Sequence, residues 1–144
     1  MNEKTFTALV ESLDSQSPLP QLHPQPRIII NGQPFGSQAD FIQLWNSLPN
    51  SNHQITSYDT HQIPGTSTHV VLAHLKVRFD ESGKDRSGQC TLLNTPASSI
   101  RSIWSHWFGV DLSCVVEEQN GQILVNTWNY RFAENPSSTI YKVI

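Results

Sequence analysis

The sequence predicts an α+β domain in which two short N-terminal helices lie against a meandering antiparallel sheet. Apolar residues recur with helical spacing only within the first fifty positions. Beyond Asn50 the apolar residues alternate with polar ones, the period of half-buried strands. Near the C-terminal end, Asn120 and Gly121 join two long alternating runs, and both residue types tolerate the positive φ angles of a type I′ hairpin turn.

Phe6, Leu9, Val10 and Leu13 follow the i, i+3, i+4, i+7 pattern and draw one apolar stripe, which predicts the first helix. Residues 14–26 carry prolines at 18, 20, 24 and 26, which remove backbone donors and favour extended conformations, so this stretch reads as a connector. The β-branched run at 27–31 predicts a short strand ended by Gly32 and Pro34. Ser37, three residues before Asp40, supplies a cap for a second helix with Phe41, Leu44, Trp45 and Leu48 as its stripe and Pro49 as its stop. The remainder divides into the strands HQITSYDTHQIP and THVVLAHLKVRFD, the polar loop ESGKDRSGQ, a short segment around CTLL, and the long hairpin IWSHWFGVDLSCVVEE with GQILVNTWNYRFAE.

The 144 residues suit a single domain over 1–144 with a sizeable core. Nine Lys and Arg against twelve Asp and Glu give a net charge of −3, which argues against autonomous nucleic-acid binding. Cys90 and Cys114 share no CxxC spacing and fit a reducing compartment. No apolar run has the length of a membrane span or the form of a signal peptide, so a soluble intracellular protein without membrane contact is expected.

Side chains alternate across strands, so each strand offers two faces. Val71, Ala73, Leu75, Val77 and Phe79 share a core face, opposite Val70, Leu72, His74, Lys76 and Arg78. The next strand places Trp104, Phe108, Val110, Leu112, Cys114 and Val116 inward and Ile103, Trp107 and Val115 outward. Strict alternation in the last strand sets Leu124, Trp128, Tyr130 and Phe132 on one side and Ile123, Val125, Thr127, Asn129 and Arg131 on the other. Helices of about 20 and 17 Å can cover only one side of strands running to about 35 Å. The uncovered side then mixes apolar anchors with few bare charges, the composition of a protein interface.

The stretch IIINGQPFGSQADFIQLWNSLPNSNHQITSYDTHQIPG, with VRFDESG and the final NYRF, resembles the nuclear transport factor 2-like superfamily over residues 27–144. Within it, VRFDESGKDRSGQ and WFGVDL are most similar to the small subunit of the heterodimeric messenger RNA export receptor. That resemblance implies a cone-like fold with a bent sheet wrapped on the N-terminal helices, paired sheet to sheet with a domain of the same fold in the large subunit. It further implies binding of phenylalanine-glycine nucleoporin repeats, mostly indirect RNA contact, and a nuclear and pore-associated location with shuttling to the cytoplasm.

For the partner surface the expected residues are Ser57, Asp59, His61, Trp107, Ile123, Val125, Asn129 and Arg131. Asp59 is the focus. Alternation puts it beside His53, Ile55, Ser57, His61 and Ile63, where partial burial of a carboxylate demands a cation or donors. The resemblance implies an arginine of the large subunit; a bond to Arg78, Arg131 or a backbone donor of this chain is the structural alternative. Two other functions stay open: a homodimeric import carrier of a small GTPase, and a pocket enzyme of the isomerase or dehydratase kind using Tyr58, Asp59 and His61. Tyr58 faces away from the other two, however, and no further group is spaced to orient them. A metal site is disfavoured because His69 and His74 point to opposite sides and Asp59 with His61 supplies two ligands where zinc wants four. No cofactor is expected. Trp104 is assigned to the core and Trp107 to the interface, and the KDR cluster of the 80–89 loop reads as a solvated turn.

Overall fold

The computed structural model describes residues 1–82, 89–90, 95–96 and 104–133. Helix α1 (Glu3–Ser12) starts at Asn2, whose Oδ1 accepts from the Thr5 N–H at 2.8 Å. Phe6, Leu9 and Val10 bury its stripe. Strand β1 (Leu22–Ile30) turns through Asn31 and Gly32, both at positive φ, into β2 (Gln33–Phe35). Helix α2 (Gln38–Asn46) is capped by the Ser37 hydroxyl, which accepts from the Asp40 N–H at 3.1 Å. Then come β3 (Ser51–Gln62), β4 (Thr68–Phe79), the two-residue strands β5 (Gln89–Cys90) and β6 (Thr95–Pro96), β7 (Phe108–Gln119) and β8 (Gln122–Phe132). Asn120 and Gly121 take φ of 53° and 77°, as the β7–β8 hairpin turn requires.

Six strands form one sheet in the order β2-β1-β8-β7-β4-β3, and β5 pairs with β6 separately. The long strands are antiparallel, but β1 lies parallel to β8, so the purely antiparallel meander is corrected. The connector is also shorter than the prolines suggested. Leu22 pairs with Val125 and Arg27 with Thr127, and Pro24 and Pro26 fall in the register shift between them, where no ladder donor is missed.

Both helices lie on one side of the sheet. Phe6, Leu9, Leu13, Phe41, Trp45, Trp128 and Tyr130 are buried among the inward residues of β4 and β7. Trp45 sits at the centre, stacked on Phe41 at 5.4 Å and edge-on to Tyr130 at 5.3 Å, with its indole N–H donating to the Leu13 carbonyl at 2.8 Å. That bond fastens α2 to the end of α1.

Two bulges decide which residues share a face. In β3 the register shifts between Ile55 and Ser57, so Ser51, His53, Ile55, Tyr58 and Thr60 turn inward while Ser57, Asp59 and His61 turn outward. In β8 an extra residue, Asn126, interrupts the pairing with β7 between Val115 and Val116. Val125 is therefore fully buried with Trp128, and Ile123 packs against the core. The expected outward placement of Ile123 and Val125 is corrected; Leu124 stands on the outer side instead, in line with Glu117 and Thr68. Strand β7 starts at Phe108 rather than Ile103. Before it, Ser105 is held at the end of β4, its hydroxyl accepting from the Phe79 N–H at 2.9 Å and its N–H donating to the Phe79 carbonyl at 2.8 Å. Most of the ESGKDRSGQ loop with the KDR cluster, the CTLL segment after Cys90, Ile103 and Glu134 lie outside the described residues.

Candidate partner interface

The outer face of the sheet is built in rows that the strand registers define. One row runs Asp59, Leu72, Ser113, Asn129; the next runs Ser57, His74, Asp111, Arg131. A third runs His61, Val70, Val115, Thr127. Ile29 extends the first row and Arg27 the third, because β1 pairs with β8 at Asn129 and Thr127. No described residue covers these rows. Leu72, in mid-strand, is 53% exposed. Leu72, His74, Asp111, Ser113, Asn129 and Arg131 line a shallow depression of about 330 Å³.

Charges on this face are paired but wet. His61 Nε2 lies 3.2 Å from Asp59 Oδ2, and His74 Nδ1 lies 2.7 Å from Asp111 Oδ1, with all four side chains more than half exposed. Such exposed pairs contribute at most about 1 kcal/mol each to the fold. Asp59 is 73% exposed, which corrects its expected partial burial and its expected neighbours His53 and Ile55. Its bond within the chain is to His61, not to Arg78 or Arg131.

Beyond the Lys76 position the face ends in an aromatic and basic stack. Lys76 Nζ sits 4.8 Å from the Trp107 ring, and the Arg78 guanidinium lies 4.8 Å from both the Trp104 and the Trp107 rings. Trp107 is half-buried under these cations. Trp104, at 39% exposure, belongs to this surface and not to the core; the Arg78 guanidinium and a bridge to Asp80 tie it to the sheet. Of the eight residues expected at an interface, Ser57, Asp59, His61, Trp107, Asn129 and Arg131 thus share the outer side.

The acid-base groups suggested by sequence do not converge. Tyr58 stacks on Phe6 at 5.0 Å, across the sheet from Asp59 and His61. An unforeseen Asp-His-Tyr chain occupies the inner side. Asp14 Oδ1 is 2.6 Å from His53 Nδ1, and His53 Nε2 is 2.7 Å from the Tyr130 hydroxyl. Asp14 also accepts from the Ser51 hydroxyl at 2.7 Å and from the His53 N–H at 2.9 Å. Burial pushes the Asp14 carboxyl up, yet the His53 hydrogen bond and charge together with the Ser51 bond outweigh it and hold the group below its ordinary value. His53 and Tyr130 have no exposed side-chain surface through which a substrate could reach them, so the arrangement ties the chain after α1 to the sheet. Asp14 lies 39 residues from His53 in a stretch read as connector, so spacing gave no sign of it. The Cys114 thiol is buried and pushed up to about 12 by loss of hydration, which leaves it unreactive. Among the described residues no three His, Cys, Asp or Glu side chains gather as a metal site would need.

Comparison with known proteins places this arrangement. The profile of the family described as "Nuclear pore RNA shuttling protein Mtr2" matches residues 3–143. The mRNA transport regulator MTR2 of Candida albicans is 46% identical over 131 residues, covering 81% of this chain and 72% of that protein. The solved complex of C. albicans Mtr2 with the Mex67 M domain contains a chain that superposes with a TM-score of 0.77 at 38% identity, covering 93% of this chain and 94% of that one. Nuclear transport factor 2 of Cryptosporidium parvum superposes with a TM-score of 0.64 at 13% identity over 90% of each chain, which shows the shared fold alone. With its two inner helices, its bent six-stranded sheet and nearly its full length matched, the chain belongs to the Mtr2 family of nuclear pore RNA shuttling proteins.

Proposed function

We propose that this chain is the non-catalytic small subunit of a messenger RNA export receptor and that it pairs through the outer face of its sheet with a Mex67-type large subunit. The observation that carries the reading is Leu72, an apolar side chain more than half exposed on an interior strand, with Asp59 and Ser113 beside it on the neighbouring strands. Full burial of a leucine is worth about 1.5–3 kcal/mol, so covering this row rewards a partner whose own face is apolar at its centre. The C. albicans relative is seen in complex with the Mex67 M domain, which supports a partner of that kind here. Asp59, projecting into solvent beside Leu72, is placed to meet a cation of that partner. His61, Ser57, Trp107, Asn129 and Arg131 form the polar and aromatic rim around it.

The heterodimer binds phenylalanine-glycine repeats of nucleoporins, with weak individual contacts summed by multivalency, and moves between nucleus and cytoplasm through the pore. RNA is held mostly by the large subunit or by adaptors, in keeping with a net charge of −3 on this chain.

Co-purification of Asp59→Arg and Leu72→Glu variants with the large subunit tests the pairing. Both residues are exposed in the free chain, so both variants stay folded by circular dichroism while the stoichiometric complex is lost. Undiminished co-purification of both variants would sink the proposal.

A further inference from the structure

Strand β3 ends the sheet, and among the described residues nothing pairs with its outer edge. In an antiparallel pair, residues alternate between bonding the neighbouring strand and presenting N–H and C=O outward. The Ile63 N–H donates to the Thr68 carbonyl and the Asp80 N–H to the Asn50 carbonyl, which fixes the phase at both ends. With the shift at Thr56, the outward residues are His53, Ile55, Tyr58, Thr60 and Gln62. The Asp14 carboxylate already takes the His53 N–H, which blocks the edge there. Among the described residues no strand pairs with the edge from Ile55 to Gln62. Natural proteins usually blunt such an edge with lysine, proline or a covering loop, and this stretch, ITSYDTHQ, has neither of those residues.

The free edge forms one wall of a groove of about 510 Å³ whose other wall is α1. Glu3, Thr7 and Glu11 stand on one helical stripe facing it, at i, i+4 and i+8, with Val10 at its floor. Glu3 and Glu11 are exposed, and among the described residues no Lys or Arg lines the groove. Their separation along the helix is about 12 Å. Residues i and i+4 of an extended strand share a face and stand about 13 Å apart.

We infer that this groove is a docking site for an extended basic peptide, which adds to β3 as a seventh strand and sets two Lys or Arg residues, four positions apart, against Glu3 and Glu11. Backbone bonds to Tyr58 and Thr60 supply affinity, and the carboxylates select sequence and register. The residue between the two cations is small or β-branched, because it meets Thr7 and Val10. The site lies on the edge of the sheet, apart from the outer face, so it stays open when that face is covered.

The full chain, alone and again in complex with the large subunit, is titrated with the labelled peptide Thr-Lys-Thr-Val-Thr-Lys-Thr and followed by fluorescence anisotropy. Binding is expected below about 1 mM. A peptide with its lysines three apart, on opposite faces, and one N-methylated at alternate residues each bind about tenfold more weakly, as does the Glu3→Gln/Glu11→Gln double variant. Amide shifts of Tyr58 and Thr60 on titration locate the contact. Equal binding of all three peptides would reveal unspecific charge attraction and overturn the proposal. So would absence of binding, or hydrogen-exchange protection of the Tyr58 and Thr60 amides in the free protein, which would mean that another part of the chain or a second copy already pairs there.

Discussion

Single residues in this chain act through the company that the backbone gives them. Asp14, His53 and Tyr130 are each unremarkable in sequence, yet together they form a closed chain of bonds in which the inner groups have no access to water. Removing the Tyr130 hydroxyl takes one hydrogen bond from the buried His53 ring, which costs about 1–3 kcal/mol. Tyr130→Phe, which changes no packing volume inward of the ring, should lower the thermal midpoint by several degrees without altering the circular dichroism spectrum. The network also couples the fold to acid. The Asp14 carboxyl titrates lower in the folded protein than in the unfolded chain, whose ordinary value is 3.8. Its contribution is therefore complete above about pH 4 and is lost as the pH falls through the depressed folded value. Urea unfolding of the wild type between pH 2 and 6 should show this decline, and Asp14→Asn should be less stable at pH 6 while losing less toward pH 2. Parallel curves for the two proteins would contradict the assignment.

At the level of elements, the local signals that sequence carries are those settled by near neighbours. The apolar stripe of α1, the Phe41 and Trp45 pair of α2, the Ser37 cap and the Asn120-Gly121 turn depend on residues a few positions apart, and each stands where it was read; Leu44 stays half-buried and Leu48 falls past the end of α2. A single inserted residue is different, because its effect is decided by the partner strand. Asn126 reverses the parity of β8, which carries Ile123 and Val125 into the core; the shift at Thr56 likewise parts Asp59 from His53. The parallel pairing of β1 with β8, between residues a hundred or more positions apart, left no local trace either. Six of the eight residues expected at a partner surface share the outer side of the sheet, because they lie beyond the bulges or just before β7. The hairpin turn offers an element-scale check. A Cβ at Gly121 meets nothing within 4 Å, so the cost of Gly121→Ala is the φ of 77° alone, about 1 kcal/mol, whereas Gly36→Ala, at an ordinary φ, should cost less. Denaturant midpoints of the two variants separate backbone strain from crowding.

Across the described residues taken together, one side of the sheet is closed and the other is not. The core gathers both helices and the inward residues of β4, β7 and β8, so the free chain has what it needs to fold without its mate. The outer side adds nothing to that core and carries Leu72, the His61–Asp59 and His74–Asp111 pairs and the Trp107 stack into solvent. Stability gained from a partner must then come by mass action, since a ligand of the folded state alone raises its stability by RT ln(1 + [L]/Kd), about 2.7 kcal/mol at a hundredfold excess over Kd. Three concentration series separate the possibilities. With the large subunit's domain present, the thermal midpoint of this chain should climb with the concentration of that domain. With this chain alone it should stay constant across a hundredfold dilution series; a midpoint rising with its own concentration would mark a homodimer and favour the import-carrier form of the fold. Leu72→Glu should abolish the partner-dependent climb while leaving the midpoint of the free chain within about 0.5 kcal/mol of wild type, as befits a surface position. If Leu72→Glu instead unfolds the free chain, the outer row is part of this subunit's own stability, and the division of the sheet into a self-sufficient inner side and a partner-seeking outer side is wrong.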